Sequence, residues 1–261
     1  MWWYRFLPVL FTGVGVFLLA GALRQPREAA PPALPSELAD LTQVTPEPSA
    51  AAPVHEALAH LNAPGAAWLQ TTLWVQSHLR ELPFEAEGSY VQAPGQRHRL
   101  ELRSRRRSSH ATEIVFLCIS DGQNHQETTR HGSAPARGSP VMPHSAQFAR
   151  GPACLVRSLL GTVAWIRART QGDEVHVDGL WQPALNQQLA PKERPWPANL
   201  PRLCRLTLRG PQRWPARLTW YGPTRPGGRD TLLVELEYRD PVCGRVLSEE
   251  TCARAFHVEP Q

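Results

Sequence analysis

The chain has 261 residues, 28 Lys+Arg against 23 Asp+Glu for a formal net charge of +5, and 26 prolines. With 42% hydrophobic and 20% charged residues it is too apolar to be wholly disordered, and it has neither the Gly triplet period of collagen nor a heptad run that survives the prolines. The basic excess is almost all arginine, Lys192 being the only lysine, so it says little about nucleic acid.

Residues 6–23 are apolar apart from Thr12, with Arg5 before and Arg24 after. A helix of that length, at ~1.5 Å per residue, just spans the ~30 Å hydrocarbon core of a bilayer. Residues 1–25 therefore read as an export segment: either a signal peptide cut near Ala20 and Ala22, or an uncut anchor in the inner membrane. Residues 26–53 are dominated by Pro, Ala, Ser and Glu, a composition that predicts a disordered linker. The folded domain is expected to run over residues 54–261.

Val54, Ala57, Leu58 and Leu61 recur at helical spacing, and residues 62–65 break the pattern. Residues 66–82 predict a second helix, with Trp68, Thr72, Val75 and Leu79 on one face. After Pro83 the period becomes two. Arg97, Arg99, Glu101, Arg103 and Arg105 fall on one strand face, and Leu100 and Leu102 on the other. This arginine row is a solvated face, and Arg97, Arg99, Arg103 and Arg105 are the candidate contacts for an envelope partner or an acidic lipid head group. No aromatic residues interleave with them as a single-strand nucleic-acid binder requires.

Residues 112–119 form an apolar strand ended by the turn Ser120-Asp121-Gly122, and residues 123–130 return as a polar strand. Residues 132–151 read as a loop and residues 152–165 as a helix opened by Pro152. Alternation then marks strands around Val175 to Trp181, Cys204 to Leu208, Leu218 to Trp220, Leu232 to Tyr238, and Phe256 to Val258. The expected fold class is α+β: roughly nine strands in a curled antiparallel sheet, an unclosed β-barrel, with helices packed across its mouth.

No nucleophile, zinc-protease or phosphate-loop motif is present, so neither catalysis nor a cofactor is expected. His176 and Asp178 share a strand face, a pattern more often solvent-facing than metal-binding, and His125, His131 and His144 would meet only through folding. Five cysteines, an odd number with no C-x-x-C pair, argue against a metal cluster. Cys118 and Cys204 sit in apolar runs as small buried side chains, while Cys243 and Cys252 flank a polar stretch that can turn back, making them a candidate disulfide. Nine tryptophans, with Trp196-Pro197 and Trp214-Pro215 at strand starts, suggest aromatic rim and core positions. The candidate lining of an apolar cavity is Tyr90, Phe116, Trp181, Trp220 and Tyr238.

An early helix, a strand reading Gly88-Ser89-Tyr90, the basic strand from Arg97 to Arg103, an apolar strand ending in Ser120-Asp121-Gly122, a mid-chain helix from Pro152 and terminal strands together form a pattern. It resembles the periplasmic lipoprotein-carrier superfamily, LolA and its lipoprotein relatives. That resemblance implies an unclosed antiparallel barrel with a helical lid over an apolar cavity for lipid chains, and neither cofactor nor catalysis. The expected function is a non-enzymatic envelope protein binding a lipid or lipoprotein acyl chain. The alternative is a membrane-tethered structural or sensory domain with a filled core and a basic partner-binding strand face.

Overall fold

The computed structural model describes residues 31–79, 82–104, 114–131, 150–182 and 198–258. Within them lie three helices, α1 (Ala52–Leu61), α2 (Pro152–Thr162) and α3 (Glu249–Ala255). Ten strands accompany them: β1 (Leu69–Leu79), β2 (Leu82–Ala93), β3 (Arg97–Ser104), β4 (Ile114–Ser120), β5 (His125–His131), β6 (Val163–Gln171), β7 (Glu174–Trp181), β8 (Leu203–Arg209), β9 (Trp214–Pro223) and β10 (Asp230–Cys243).

The strands form one sheet in the order β5-β4-β3-β2-β1-β10-β9-β8-β7-β6, each neighbour antiparallel. It is a pair of five-stranded meanders, β1–β5 and β6–β10, joined where β1 pairs with β10. β5 and β6 stand at opposite ends, so the sheet curls without closing, as the sequence pattern predicts.

Alternation decides the two faces. Leu69, Leu73, Val75, Tyr90, Leu100, Leu102, Phe116, Val177, Leu206, Leu218 and Leu236 point inward into the main core. α1 contributes Val54, Ala57 and Leu61 to that core, and α2 contributes Leu155, Val156 and Leu159, so both helices lie over the concave side.

Four expectations are corrected. Within the expected helix 66–82, Leu69–Leu79 is strand β1: it alternates buried and half-buried without a break, and its Thr71, Thr72, Trp74 and Val75 favour extended backbone. The apolar spacing that mimics a helical face belongs partly to the outer side of a strand. The mid-chain helix stops at Thr162, and Val163 opens β6 directly. The terminal Phe256 follows a helix rather than lying in a strand; Ser248 caps α3 by accepting from the backbone N–H of Thr251 at 3.2 Å.

The fourth concerns residues 31–50, which sequence composition assigns to a disordered linker. They run as a strap across the outer face of the β6–β10 meander. Ala33 bridges Thr231, the backbone N–H of Leu232 donates to Pro32 at 2.9 Å, and that of Glu47 donates to Ile166 at 2.9 Å. Leu38 and Leu41, on two 3-10 turns, are buried against Ile166, Leu203, Tyr221 and Leu232. A bulge in β6 between Trp165 and Arg167 lets Ile166 and Arg167 both serve this outer face. A few well-placed apolar residues suffice to hold a segment whose average composition is that of a linker.

Candidate functional site

The inner face is aromatic at its centre. The rings of Trp181 on β7 and Trp220 on β9 lie 4.9 Å apart at 53°. Trp214 meets Tyr238 edge-on at 6.2 Å, and its indole N–H donates to the Tyr238 carbonyl at 3.3 Å. Phe116, Trp181, Trp220 and Tyr238 are all buried within the main core, and Tyr90 is too. These five sequence-selected residues therefore share one inward surface and fill it with their own rings.

An apolar depression of about 400 Å³ opens beside this surface. Its walls include Leu61 at the end of α1, Ala63, Ala66, Trp214 at the start of β9 and Cys243 at the end of β10. Trp214 thus joins the depression to the buried Tyr238.

Adjoining the depression at Leu61 and Ala63, a cavity of about 630 Å³ is bordered by Tyr90, Gln92, His98, His125, Arg150 and Cys154 among others. The Tyr90 hydroxyl lies 3.0 Å from both the Arg150 carbonyl and Gln92 Oε1, donating its one proton to one of them. Gly151, at φ +91°, passes so near that ring that an added Cβ would fall 2.0 Å from the hydroxyl. Burial holds the Tyr90 phenol well above its ordinary range, so it is a neutral donor.

Inside this cavity the register aligns three strands. His98 on β3 pairs with Ser120 on β4, which pairs with His125 on β5; one step along, Cys118 pairs with Glu127. The inward side chains converge: Cys118 Sγ lies 3.8 Å from His98 Nε2 and 4.0 Å from His125 Nε2, and His125 Nε2 lies 2.8 Å from Glu127 Oε1. Burial lowers the His98 imidazole to about 4 and pushes the Cys118 thiol up, so both are neutral near pH 7.

Sequence reading missed this cluster. The signal was available, since His98 shares the inward face with Leu100 and Leu102, and the Asp121 turn sets Cys118 opposite Glu127. His131 is the last residue of β5, six positions beyond His125, and His144 is outside the described residues. His176 and Asp178 do share the outer face of β7 but are used internally. His176 Nδ1 is 3.1 Å from the Thr207 hydroxyl, and Asp178 is ringed by arginines.

The arginine row faces outward as expected, yet it is largely self-satisfied. Arg99 and Arg103 both bind Glu101, at 3.0 and 2.6 Å. Arg97 donates to the Pro94 carbonyl at 2.9 Å and lies over the Phe256 ring at 5.7 Å. Arg105 is outside the described residues, as is Trp196-Pro197. The Cys243–Cys252 disulfide is not formed. Cys243 is exposed, whereas Cys252 packs with Ala93 and Phe256 and directs its thiol at the Leu247 carbonyl, 3.9 Å away.

The apolar segment 6–23 is outside the described residues, among which no helix is long and apolar enough to cross a membrane.

No protein-family model matches this chain, and no curated protein matches its sequence. Several solved structures align with most of the chain at low identity. LprF from Mycobacterium bovis is 13% identical, with 78% of this chain and 97% of that chain covered, at a TM-score of 0.44. A DUF1329 family protein from Desulfovibrio piger is 9% identical over 79% of this chain and 98% of that one, at 0.34. The LolA superfamily protein NE2245 from Nitrosomonas europaea is 13% identical over 77% and 96%, at 0.26. The chemistry of the site rests on this chain's own residues.

Proposed function

We propose that this chain is a non-enzymatic cell-envelope protein that holds a lipid, a lipoprotein acyl chain or an apolar peptide segment against the inner face of its curled sheet, under the lid made by α1 and α2. The observation that carries this reading is the apolar depression of about 400 Å³ where the end of α1 meets β9 and β10, backed by the Trp214–Tyr238 pair. Small-molecule sites commonly measure ~300–1,000 Å³. Each buried methylene contributes ~0.8 kcal/mol, so an apolar wall binds a chain without specific polar chemistry. Residues 1–25, as a signal or anchor, would deliver the domain to the compartment where such chains are handled. Because Phe116, Trp181 and Trp220 fill the interior, entry of a long chain beyond the depression would require α1 and α2 to lift from the sheet.

Native mass spectrometry of the full chain purified from its own membranes, together with titration by a fluorescent fatty acid, tests the reading. Co-purified lipid mass and saturable probe binding are expected. Unliganded mass alone with no probe binding overturns it. In a second reading, the outer face would dock an acidic envelope protein through Arg103, whose side chain is 57% exposed beside Glu101.

A further inference from the structure

The inward corner of β3, β4 and β5 gathers two imidazoles, a thiol and a carboxylate from three adjacent strands, which the apolar-ligand reading does not use. Cys118 Sγ and one ring nitrogen each of His98 and His125 all lie within 4.8 Å of one another. In a tetrahedral zinc site, with Zn–S of about 2.3 Å and Zn–N of about 2.0–2.1 Å, neighbouring donor atoms stand about 3.4–3.6 Å apart. The two sulfur–nitrogen separations, 3.8 and 4.0 Å, are already close to that spacing.

The surroundings also orient the donors. His98 Nδ1 sits 3.1 Å from the Gln96 carbonyl. A carbonyl only accepts, so Nδ1 carries the proton and the Nε2 lone pair faces the thiol, the outer-shell arrangement common to metal-ligating histidines. Glu127, with its side chain only 6% exposed, holds His125 at 2.8 Å and lies beside Cys118 across the β4–β5 ladder. Cys118 is buried and His125 is partly exposed toward the cavity, which provides an entry path.

We propose that His98 Nε2, Cys118 Sγ and His125 Nε2 bind a borderline divalent transition-metal ion, Zn2+ by the nature of the donor set, with water as fourth ligand and the Glu127 carboxylate as an outer-shell partner. Binding replaces the Cys118 S–H bond with an S–Zn bond and releases one proton to solvent. The His125 ring proton moves through solvent from Nε2 to Nδ1, which frees Nε2 for the metal and leaves Glu127 to accept from the metal-bound water. Two nitrogens, one sulfur and one oxygen suit Zn2+ better than Ca2+ or Mg2+, which take oxygen ligands. None of these four residues lines the apolar depression, so either site can fail without the other.

Cobalt(II) substitution of the chelator-stripped full chain tests this. One Co2+ per chain is expected to bind with a thiolate-to-cobalt charge-transfer band in the near ultraviolet and the intense visible bands of a tetrahedral ion, and stoichiometric Zn2+ should erase both. Cys118→Ser should abolish the charge-transfer band. Glu127→Gln should weaken Zn2+ binding about 10- to 100-fold. His125→Gln, at a partly exposed position, provides a variant that keeps the fold by circular dichroism while losing the tetrahedral spectrum, and His55→Gln, on the exposed side of α1, should bind as the parent does. Absence of the band in the parent chain overturns the proposal. So does a band that persists in Cys118→Ser, which would assign the metal to another thiol such as Cys154.

Discussion

Asp178 Oδ1 accepts a 2.7 Å hydrogen bond from Arg205 Nε although the Asp178 side chain is wholly shielded from solvent. Its other oxygen meets Arg167 at 3.3 Å and Arg169 at 3.2 Å, and Glu37 of the strap returns to Arg169 and Arg205, each at 3.2 Å. One carboxylate thus anchors three cations from β6 and β8, and the strap supplies a second. Removing one partner of a buried ion pair typically costs ~3–5 kcal/mol because the remaining charges lose their compensation. Asp178→Ala should reduce unfolding free energy by about that amount in urea denaturation; a change below ~1 kcal/mol would show that the arginines re-solvate freely.

The strap is predicted to be structural. Leu41, fully buried against the outer face, should cost ~2–4 kcal/mol on substitution by Ala. Hydrogen exchange should show the Glu47 and Leu232 amides, which bond across the strap junction, losing protection together in that variant. Unchanged protection would return residues 31–50 to the status of a tether.

Gly88 sits where β2 meets β3 with no room for a side chain, since a Cβ there would fall 1.6 Å from the Glu101 carbonyl oxygen. Gly88→Ala should separate the β2–β3 ladder and abolish the cooperative thermal transition. A variant that melts within a few degrees of the parent contradicts this packing.

Asp121 gives a pH dependence with a defined sign. Its carboxylate accepts from the Asn124 side chain at 2.9 Å, from the Asn124 backbone N–H at 2.6 Å and from that of Gln123 at 2.8 Å, which lowers its pKa from 3.8 to about 2. A depressed acid stabilises the folded form above its unfolded value, and that contribution is lost as pH falls through the folded value. The β4–β5 turn should therefore hold above pH 3.8 and loosen between pH 3.8 and about 2, read as a shift of the Asn124 amide resonance. Asp121→Asn should remove the titration.

The apolar depression has an exposed rim residue in Ala63. Ala63→Glu should weaken fatty-acid probe binding about tenfold, ~1.4 kcal/mol, with stability unchanged within ~0.5 kcal/mol as for other surface substitutions. Equal affinities for parent and variant would move the ligand elsewhere on the inner face.

Much of the sheet is legible in residue order. Leu100 and Leu102 opposite the arginines, the Ser120-Asp121-Gly122 turn with Gly122 at φ +97°, and Leu155 and Leu159 after Pro152 each declare a local period or a local backbone need. β1 has the pattern of a helix as well as a strand, because Trp68, Val75 and Leu79 satisfy a helical spacing while Leu69, Leu73, Val75 and Leu79 satisfy a strand spacing at the same time. Chain-local pattern does not choose between them; the β2 and β10 ladders on either side of β1 do.

What the residue order by itself determined is the alternation of faces, because side-chain direction in a strand follows from backbone geometry within a few residues. What only the tertiary structure decided is which faces meet. Register brings His98, Cys118, His125 and Glu127 to one corner over spans of up to 29 residues, and strap packing joins Glu37 to Arg169 and Arg205 over spans of 132 and 168 residues. Those encounters depend on pairing and burial summed over the whole sheet, and no local period encodes them.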